Sequence, residues 1–156
     1  MIKFSVARLD KEPIELVGSE PAEFLDLASE DLYQAVSEIN YDLLVKKVSG
    51  GALLSGSCSV VVASECGRCL EPVEVEITAE DIEMFFDLEQ CGDEVDISED
   101  IRSELLLELP MFVLCSDECA GLCPDCGCNL NKTDCRCHEA PHGSLAWGEL
   151  DNLKLD

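Results

Sequence analysis

Eight of the eleven cysteines in this chain fall in close pairs, at the spacing of metal ligands. Six of them lie in one stretch, Cys115-x3-Cys119-x3-Cys123-x2-Cys126-x8-Cys135-x-Cys137, and two more, Cys66 and Cys69, form a separate C-x2-C. A short pair puts two thiolates on one tight turn, and two such turns close the tetrahedral four-thiolate site that zinc favours. The strongest unit is Cys123-Pro124-Asp125-Cys126-Gly127, in which Pro124 suits the start of the turn and Gly127 can take the positive φ that follows it. Gly121, just ahead, lets the backbone come close. Cys135 and Cys137 supply the other two ligands of this knuckle. Cys66, Cys69, Cys115 and Cys119 then make a second site, which would staple a turn between two strands to the C-terminal segment. A different grouping puts Cys119 in the knuckle site and leaves Cys135 or Cys137 over.

Other chemistry fits these residues less well. Cys66-Gly67-Arg68-Cys69 has the spacing of a thioredoxin-type redox pair. Such a pair needs a depressed thiol pKa, usually at a helix N-terminus, and here Glu65 and Glu71 flank the turn and a strand follows it. Cys58 sits on the apolar side of a strand pattern and reads as a small buried hydrophobe. Cys91 and Cys128 have no partner at ligand spacing. His138 and His142 are possible ligands but read as solvated residues of a polar tail, and Trp147 as a docking residue of a last helix. There is no Gly-rich phosphate loop, no Ser or Cys nucleophile with a His base, and no zinc site with an open position. A protein that is not an enzyme is expected.

The elements that must hold these cysteines are legible from periodicity. Residues 1–18 read as two short strands joined around Asp10-Lys11-Glu12-Pro13. Residues 21–39 read as a helix, with Pro21 at its first position and Phe24, Leu25, Ala28, Leu32, Ala35, Val36 and Ile39 spaced by three and four. Leu43 to Val48 is a strand and Ser49-Gly50-Gly51 a turn. From Leu54 the chain alternates, with Leu54, Gly56, Cys58, Val60 and Val62 on one face and Ser55, Ser57 and Ser59 on the other. Beyond the Cys66/Cys69 turn, Val73, Val75, Ile77 and Ala79 alternate with Glu74, Glu76, Thr78 and Glu80. Residues 87–96 read as an exposed acidic loop. A helix from about Glu99 to Leu109 follows, capped by Asp96 or Ser98 and stopped by Pro110. A short amphipathic helix is expected between Leu145 and Leu155. Strands followed by helices predict an α+β fold: an antiparallel sheet core with flanking helices and a C-terminal zinc-knuckle segment. The expected divisions are an α+β domain at 1–112, a cysteine-rich zinc-binding segment at 113–140 and a helical tail at 141–156.

Composition bounds the partners. A hydrophobic content of 47% is normal for a globular protein and argues against global disorder. No apolar run approaches the roughly 18 residues of a membrane helix, and the first residues lack the apolar centre of a signal peptide. A cytoplasmic protein with no membrane attachment is expected, and a reducing compartment favours metal over disulfides. Ten Lys and Arg stand against 34 Asp and Glu, a formal net charge of −24. Fourteen acidic residues and one basic one lie between Glu74 and Glu108, a local net of −13. Such a surface repels phosphate and attracts basic proteins, although acidity kept only for solubility accounts for it equally. Glu74, Glu76 and Glu80, on the outer side of one strand pattern, are the candidate partner-binding residues.

Several segments, in order, resemble one family, the YceD or large ribosomal RNA subunit accumulation proteins. They are Glu65-Cys66-Gly67-Arg68-Cys69-Leu70-Glu71-Pro72, the helix pattern from Ile101 to Pro110, the run from Cys115 to Gly127, Asn129-Leu130-Asn131, and the Cys135/Cys137 pair. Where family members often carry Asp-Pro-Arg before the last apolar helix, this chain has Pro141-His142-Gly143-Ser144. The resemblance implies a bacterial role in accumulation of large-subunit ribosomal RNA, hence in ribosome biogenesis. In many bacteria the family gene neighbours one for a small basic ribosomal protein. With the acidic charge, this leads to the expectation of a non-enzymatic assembly factor that holds a basic ribosomal or assembly protein and reaches ribosomal RNA indirectly. The competing expectations are a ribosomal RNA processing or modifying enzyme, and a zinc-dependent scaffold in another complex.

Overall fold

The computed structural model describes residues 1–27 and 32–137. Its centre is a five-stranded antiparallel sheet of β2 (Ile14–Glu20), β3 (Gln34–Ala35), β4 (Ile39–Val48), β5 (Gly51–Glu65) and β6 (Pro72–Phe86). β5 is the middle strand. β4 and then β3 pair along one of its sides and β6 along the whole of the other, so β2, β6 and the two-residue β3 are the outer strands. The two-residue turn Ser49-Gly50, with Gly50 at φ 86°, joins β4 to β5 in a hairpin that pairs Val48 with Gly51.

One face of this sheet carries the core. Ala52, Leu54, Cys58, Val60 and Val62 of β5 are buried there, beside Leu43 and Val45 of β4 and Ile77, Ala79 and Ile82 of β6. Cys58 is thus the buried hydrophobe its position suggests. Between Cys58↔Ala79 and Gly56↔Ile82 the register shifts by one residue, a β-bulge at Glu80 and Asp81 with Asp81 at φ 55°. The bulge swaps the parity of β6, so that Ile77 and Ala79 before it, and Ile82 after it, all reach the core. Opposite the bulge only glycine fits: a Cβ on Gly56 (φ 148°) would stand 2.1 Å from the Asp42 carbonyl oxygen.

Over the core face lie α2 (Ser98–Leu107) and a small second sheet of β1 (Lys3–Ser5) and β7 (Glu94–Asp96), with α1 (Val6–Leu9) between β1 and β2. Ile101 and Leu105 point α2 into the core with Ile97 just before it. Asp96 accepts the Ser98 N–H at 3.0 Å, holding the first turn from two residues upstream. Ser98 does not cap; it is buried, and its Oγ accepts the Ile2 N–H at 2.9 Å.

Three readings from periodicity are corrected here. Residues 21–39 are not one helix: a 3-10 turn at Ala22–Leu25 ends at Asp26 (φ 51°), and β3 and the start of β4 follow. The apolar residues serve separate elements, with Leu25, Tyr33 and Ile39 buried and Leu32 and Val36 exposed. Ala28 lies outside the described residues. The acidic segment 87–96 is not all loop, because Glu94–Asp96 forms β7 against β1. The two strands within 1–18 are present, but their connection is more than the turn at Asp10–Pro13: α1 stands ahead of it, and β1 pairs with β7 while β2 pairs with β4. The helix expected between Leu145 and Leu155, with His138, His142 and Trp147, lies outside the described residues.

Candidate metal centres

The C-x2-C turn of Cys66 and Cys69 closes the end of the sheet where β5 passes to β6. It is built by the Cys66 N–H to the Glu71 carbonyl at 2.8 Å and the Leu70 N–H to the Cys66 carbonyl at 2.9 Å, with Leu70 left-handed at φ 60°. The segment after α2 is tied to it, since the Gly67 N–H donates to the Val113 carbonyl at 2.8 Å. This brings Cys115 and Cys119 onto the turn. The Cys66 and Cys119 sulfurs are 3.8 Å apart and those of Cys69 and Cys115 3.6 Å. Cys66, Cys69 and Cys119 are buried and Cys115 is exposed. Arg68 clamps the arrangement from outside, its Nη1 donating to the carbonyls of Asp117 (3.2 Å) and Cys119 (3.1 Å).

The second cluster stands on its own knuckle. The Gly127 N–H donates to the Cys123 carbonyl at 2.9 Å, with Gly127 at φ 71°, and the Cys123 N–H donates to the Cys128 carbonyl at 2.8 Å. Cys135 then comes within 3.3 Å of Cys123 and 3.6 Å of Cys126. The sulfurs of Cys66, Cys69, Cys115 and Cys119 all lie within 4.8 Å of one another, and so do those of Cys123, Cys126, Cys135 and Cys137. The structure therefore brings the eight cysteines together in the grouping first expected, with Cys119 in the sheet-end cluster rather than the knuckle.

Both clusters could hold a metal ion. A tetrahedral thiolate site with metal–sulfur bonds of about 2.3 Å spaces its sulfurs by about 3.8 Å, close to the separations found here. The surrounding donors already favour thiolate. The Arg68 N–H, with smaller help from the Cys115 N–H, holds the Cys66 thiol down at about 6. The Cys128 N–H does the same for Cys126, also to about 6. Asn131 lowers Cys119 through its side-chain amide. Other thiols of the two clusters are pushed the other way: the Cys119 side chain raises Cys115, and the Cys135 side chain raises Cys137, both to about 12. Four sulfurs this close cannot all carry charge without a cation among them, which is the electrostatic demand a divalent ion meets.

Three supporting residues have no site role in the sequence reading. Asn131 donates from Nδ2 to the Cys119 sulfur at 3.3 Å and accepts the Ala120 N–H at Oδ1 at 2.8 Å. Asn129 accepts from Asn131 through Oδ1 and donates to Glu71 at 3.3 Å. Lys132 donates to the same Glu71 oxygen at 2.7 Å, which holds the Glu71 carboxyl below the usual range. These bonds tie the two clusters into one unit, and Gly121 (φ 76°) passes close to the turn, where an added Cβ would stand 3.2 Å from the Arg68 carbonyl oxygen. Asn and Lys in a polar loop give no local sign of such a role. Cys128 stays outside both four-sulfur groups, as its spacing suggests, although Cys126 beside it pushes its thiol up to about 12.

Glu74, Glu76 and Glu80 are all exposed on β6, with their side chains on the sheet face opposite the core. Asp81 and Glu83 extend the acidic row, and no basic residue occurs in the strand. Among the described residues no helix is long and apolar enough to cross a membrane.

The family model for "Large ribosomal RNA subunit accumulation protein YceD" matches residues 54–154, and the chain belongs to that family. An uncharacterized protein of Mycobacterium tuberculosis (strain ATCC 25618 / H37Rv) is 31% identical over 115 residues, covering 65% of this chain and 56% of that protein. The Arabidopsis thaliana protein named "Large ribosomal RNA subunit accumulation protein YCED homolog 1, chloroplastic" is 39% identical over 61 residues, 39% of this chain and 19% of that one. Its Zea mays namesake is 47% identical over 45 residues, 28% and 15% of the two chains. The chain thus spans little more than half the length of the mycobacterial relative and a small part of the plant ones. No solved structure matches it.

Proposed function

We propose that this chain is a non-enzymatic, cytoplasmic ribosome-assembly factor. It supports accumulation of large-subunit ribosomal RNA by holding a basic ribosomal or assembly protein on the acidic outer face of its sheet. The observation that carries this reading is the row Glu74, Glu76 and Glu80, continued by Asp81 and Glu83, exposed on one strand without a basic neighbour in it. Family membership points to the ribosomal RNA, and a chain of net charge −24 is a poor direct ligand for it. A protein partner that itself carries positive charge reconciles the two.

Zinc is the metal this reading assigns to both clusters, held by Cys66, Cys69, Cys115 and Cys119 and by Cys123, Cys126, Cys135 and Cys137. Bound by four thiolates it supplies a closed cross-link with no position for water or substrate. The chain's own residues do the rest: they fold the C-terminal segment onto the end of the sheet and fix the start of β6.

The test is titration against small basic ribosomal proteins and against ribosomal RNA, at low and high salt. Glu74→Gln, Glu76→Gln and Glu80→Gln together should weaken binding of the basic protein about tenfold or more while leaving the fold intact, because all three side chains point to solvent. Attraction should fade as added salt shortens the screening length from about 10 Å at 0.1 M to about 3 Å at 1 M. Tight, salt-sensitive binding to naked RNA by the chain alone, or no effect of the triple substitution, overturns the reading.

A further inference from the structure

β6 is an outer strand. Its inner edge pairs with β5 from Pro72 to Phe86, and among the described residues no backbone group pairs with its other edge. An open edge of this length is a template for another strand, and proteins commonly guard such edges with charge and bulges. Both devices are present, but they are placed selectively. The bulge at Glu80 and Asp81 divides the strand into two regular stretches, the shorter Ile82–Phe86 and the longer Pro72–Ala79, and the Val/Glu alternation lies in the longer one. Over that stretch Glu74 and Glu76 stand on the outer face. On the inner face Val73 and Val75 are only half-buried where Ile77 and Ala79 are fully buried.

We propose that the free edge of β6 over Val73–Ala79 takes an extended segment of a basic partner as an added antiparallel strand, one that alternates Lys or Arg with an apolar residue. This rests on the acidic-face reading above and states how the partner is held. Same-face residues in a strand recur at about 6.6–6.8 Å, so a partner's basic residues at i and i+2 match Glu74 and Glu76. Its intervening apolar residues fall beside Val73 and Val75 and cover the apolar surface left open there. Opposite charges on facing strands stabilise the pairing, and like charges oppose it. A second copy of the all-acidic β6 is therefore refused, and a basic strand is accepted. Backbone bonds along the edge supply affinity, and the alternation supplies selection.

The experiment uses the full metal-loaded chain and three peptides, each with blocked ends and the sequence Lys-Val-Lys-Val-Lys-Val-Lys. One is unmodified, one is N-methylated at its valines and one at its interior lysines. All three carry the same charge, but in a strand the Lys and Val amides point to opposite edges, so only one methylated peptide has its pairing edge blocked. Calorimetric or anisotropy titration should show that one methylated peptide binds at least about tenfold more weakly than the parent, and the other within about threefold of it. Equal binding of all three, or no binding of the parent, overturns strand addition. If that happens while Glu74→Gln, Glu76→Gln and Glu80→Gln still weaken binding of an intact basic ribosomal protein, the acidic face stands and only the mode fails. If the triple substitution also has no effect, both fail.

Discussion

Asn131 provides the sharpest test of how the sheet-end cluster is held. Its Nδ2 lies 3.3 Å from the Cys119 sulfur, and its Oδ1 accepts the Ala120 N–H at 2.8 Å in the loop that carries Cys119. Asn131→Ala removes both the bond to the ligand and the bond that sets the ligand's loop. Loss of one outer bond to a metal ligand typically lowers metal affinity about 10- to 100-fold, and two losses on one loop place this variant toward the upper end. Asn131→Asp should be worse at the same site, because a carboxylate would face a thiolate that now receives an N–H. The assay is zinc transfer to a chromogenic chelator, followed for each equivalent. A Cys123→Ser background that retains only the sheet-end site assigns the phases. The easily released equivalent should be that of Cys66, Cys69, Cys115 and Cys119, with the knuckle site within about twofold of the parent. Equal loosening of both sites, or no loosening of either, refutes the argument that Asn131 acts on its site through Cys119.

Other outcomes follow from the same geometry. Elemental analysis of protein purified without chelator should find two zinc equivalents per chain, and Cys123→Ser should find one while circular dichroism keeps the sheet signal, since the sheet has its own apolar core. Ile101→Ala removes a side chain fully buried between α2 and the sheet, and urea unfolding should show a loss of about 2–5 kcal/mol. Asp96→Ala should cost about 1 kcal/mol at neutral pH through the lost bond to the Ser98 N–H. The bonds from Ser98 hold the Asp96 carboxyl below its ordinary value, so its contribution is fully present above about pH 4 and is lost as pH falls through the lower folded value. Unfolding curves of parent and variant should therefore converge in acid; a gap that persists at the lowest pH sinks the assignment.

What the sequence disclosed depends on how local each cause is. The Val/Glu alternation from Val73 to Glu80 and the four-residue spacing of Ile97, Ile101 and Leu105 are decided by one strand face and one helix face, and both appear where expected. The same spacing rule failed over residues 21–39 because Leu32 and Val36, which would line a buried helix stripe, are exposed, and Asp26 turns left-handed after one short turn. Nothing local marks Phe4 as the partner of Val95, since that pairing joins residues at opposite ends of the sheet domain. The cysteine grouping was legible because each turn carries its own signature, whereas Asn129, Asn131 and Lys132 act only on groups brought to them by folding.

That division bears on function through Glu71. It lies one residue before Pro72, where β6 begins, and its backbone carbonyl closes the Cys66 turn while its side chain receives Asn129 and Lys132 from the segment between the knuckle's two cysteine pairs. The start of β6 is thus fixed from three directions, by the turn, by the sheet-end cluster and by the knuckle. A strand that offers a free edge to a partner benefits from such fixing, because an edge already ordered before binding loses less conformational entropy when a second strand is added. On the function proposed above, the two candidate metal centres and the acidic strand are one device: the cysteines take no part in contacting the proposed partner, and they hold still the end of the strand that would.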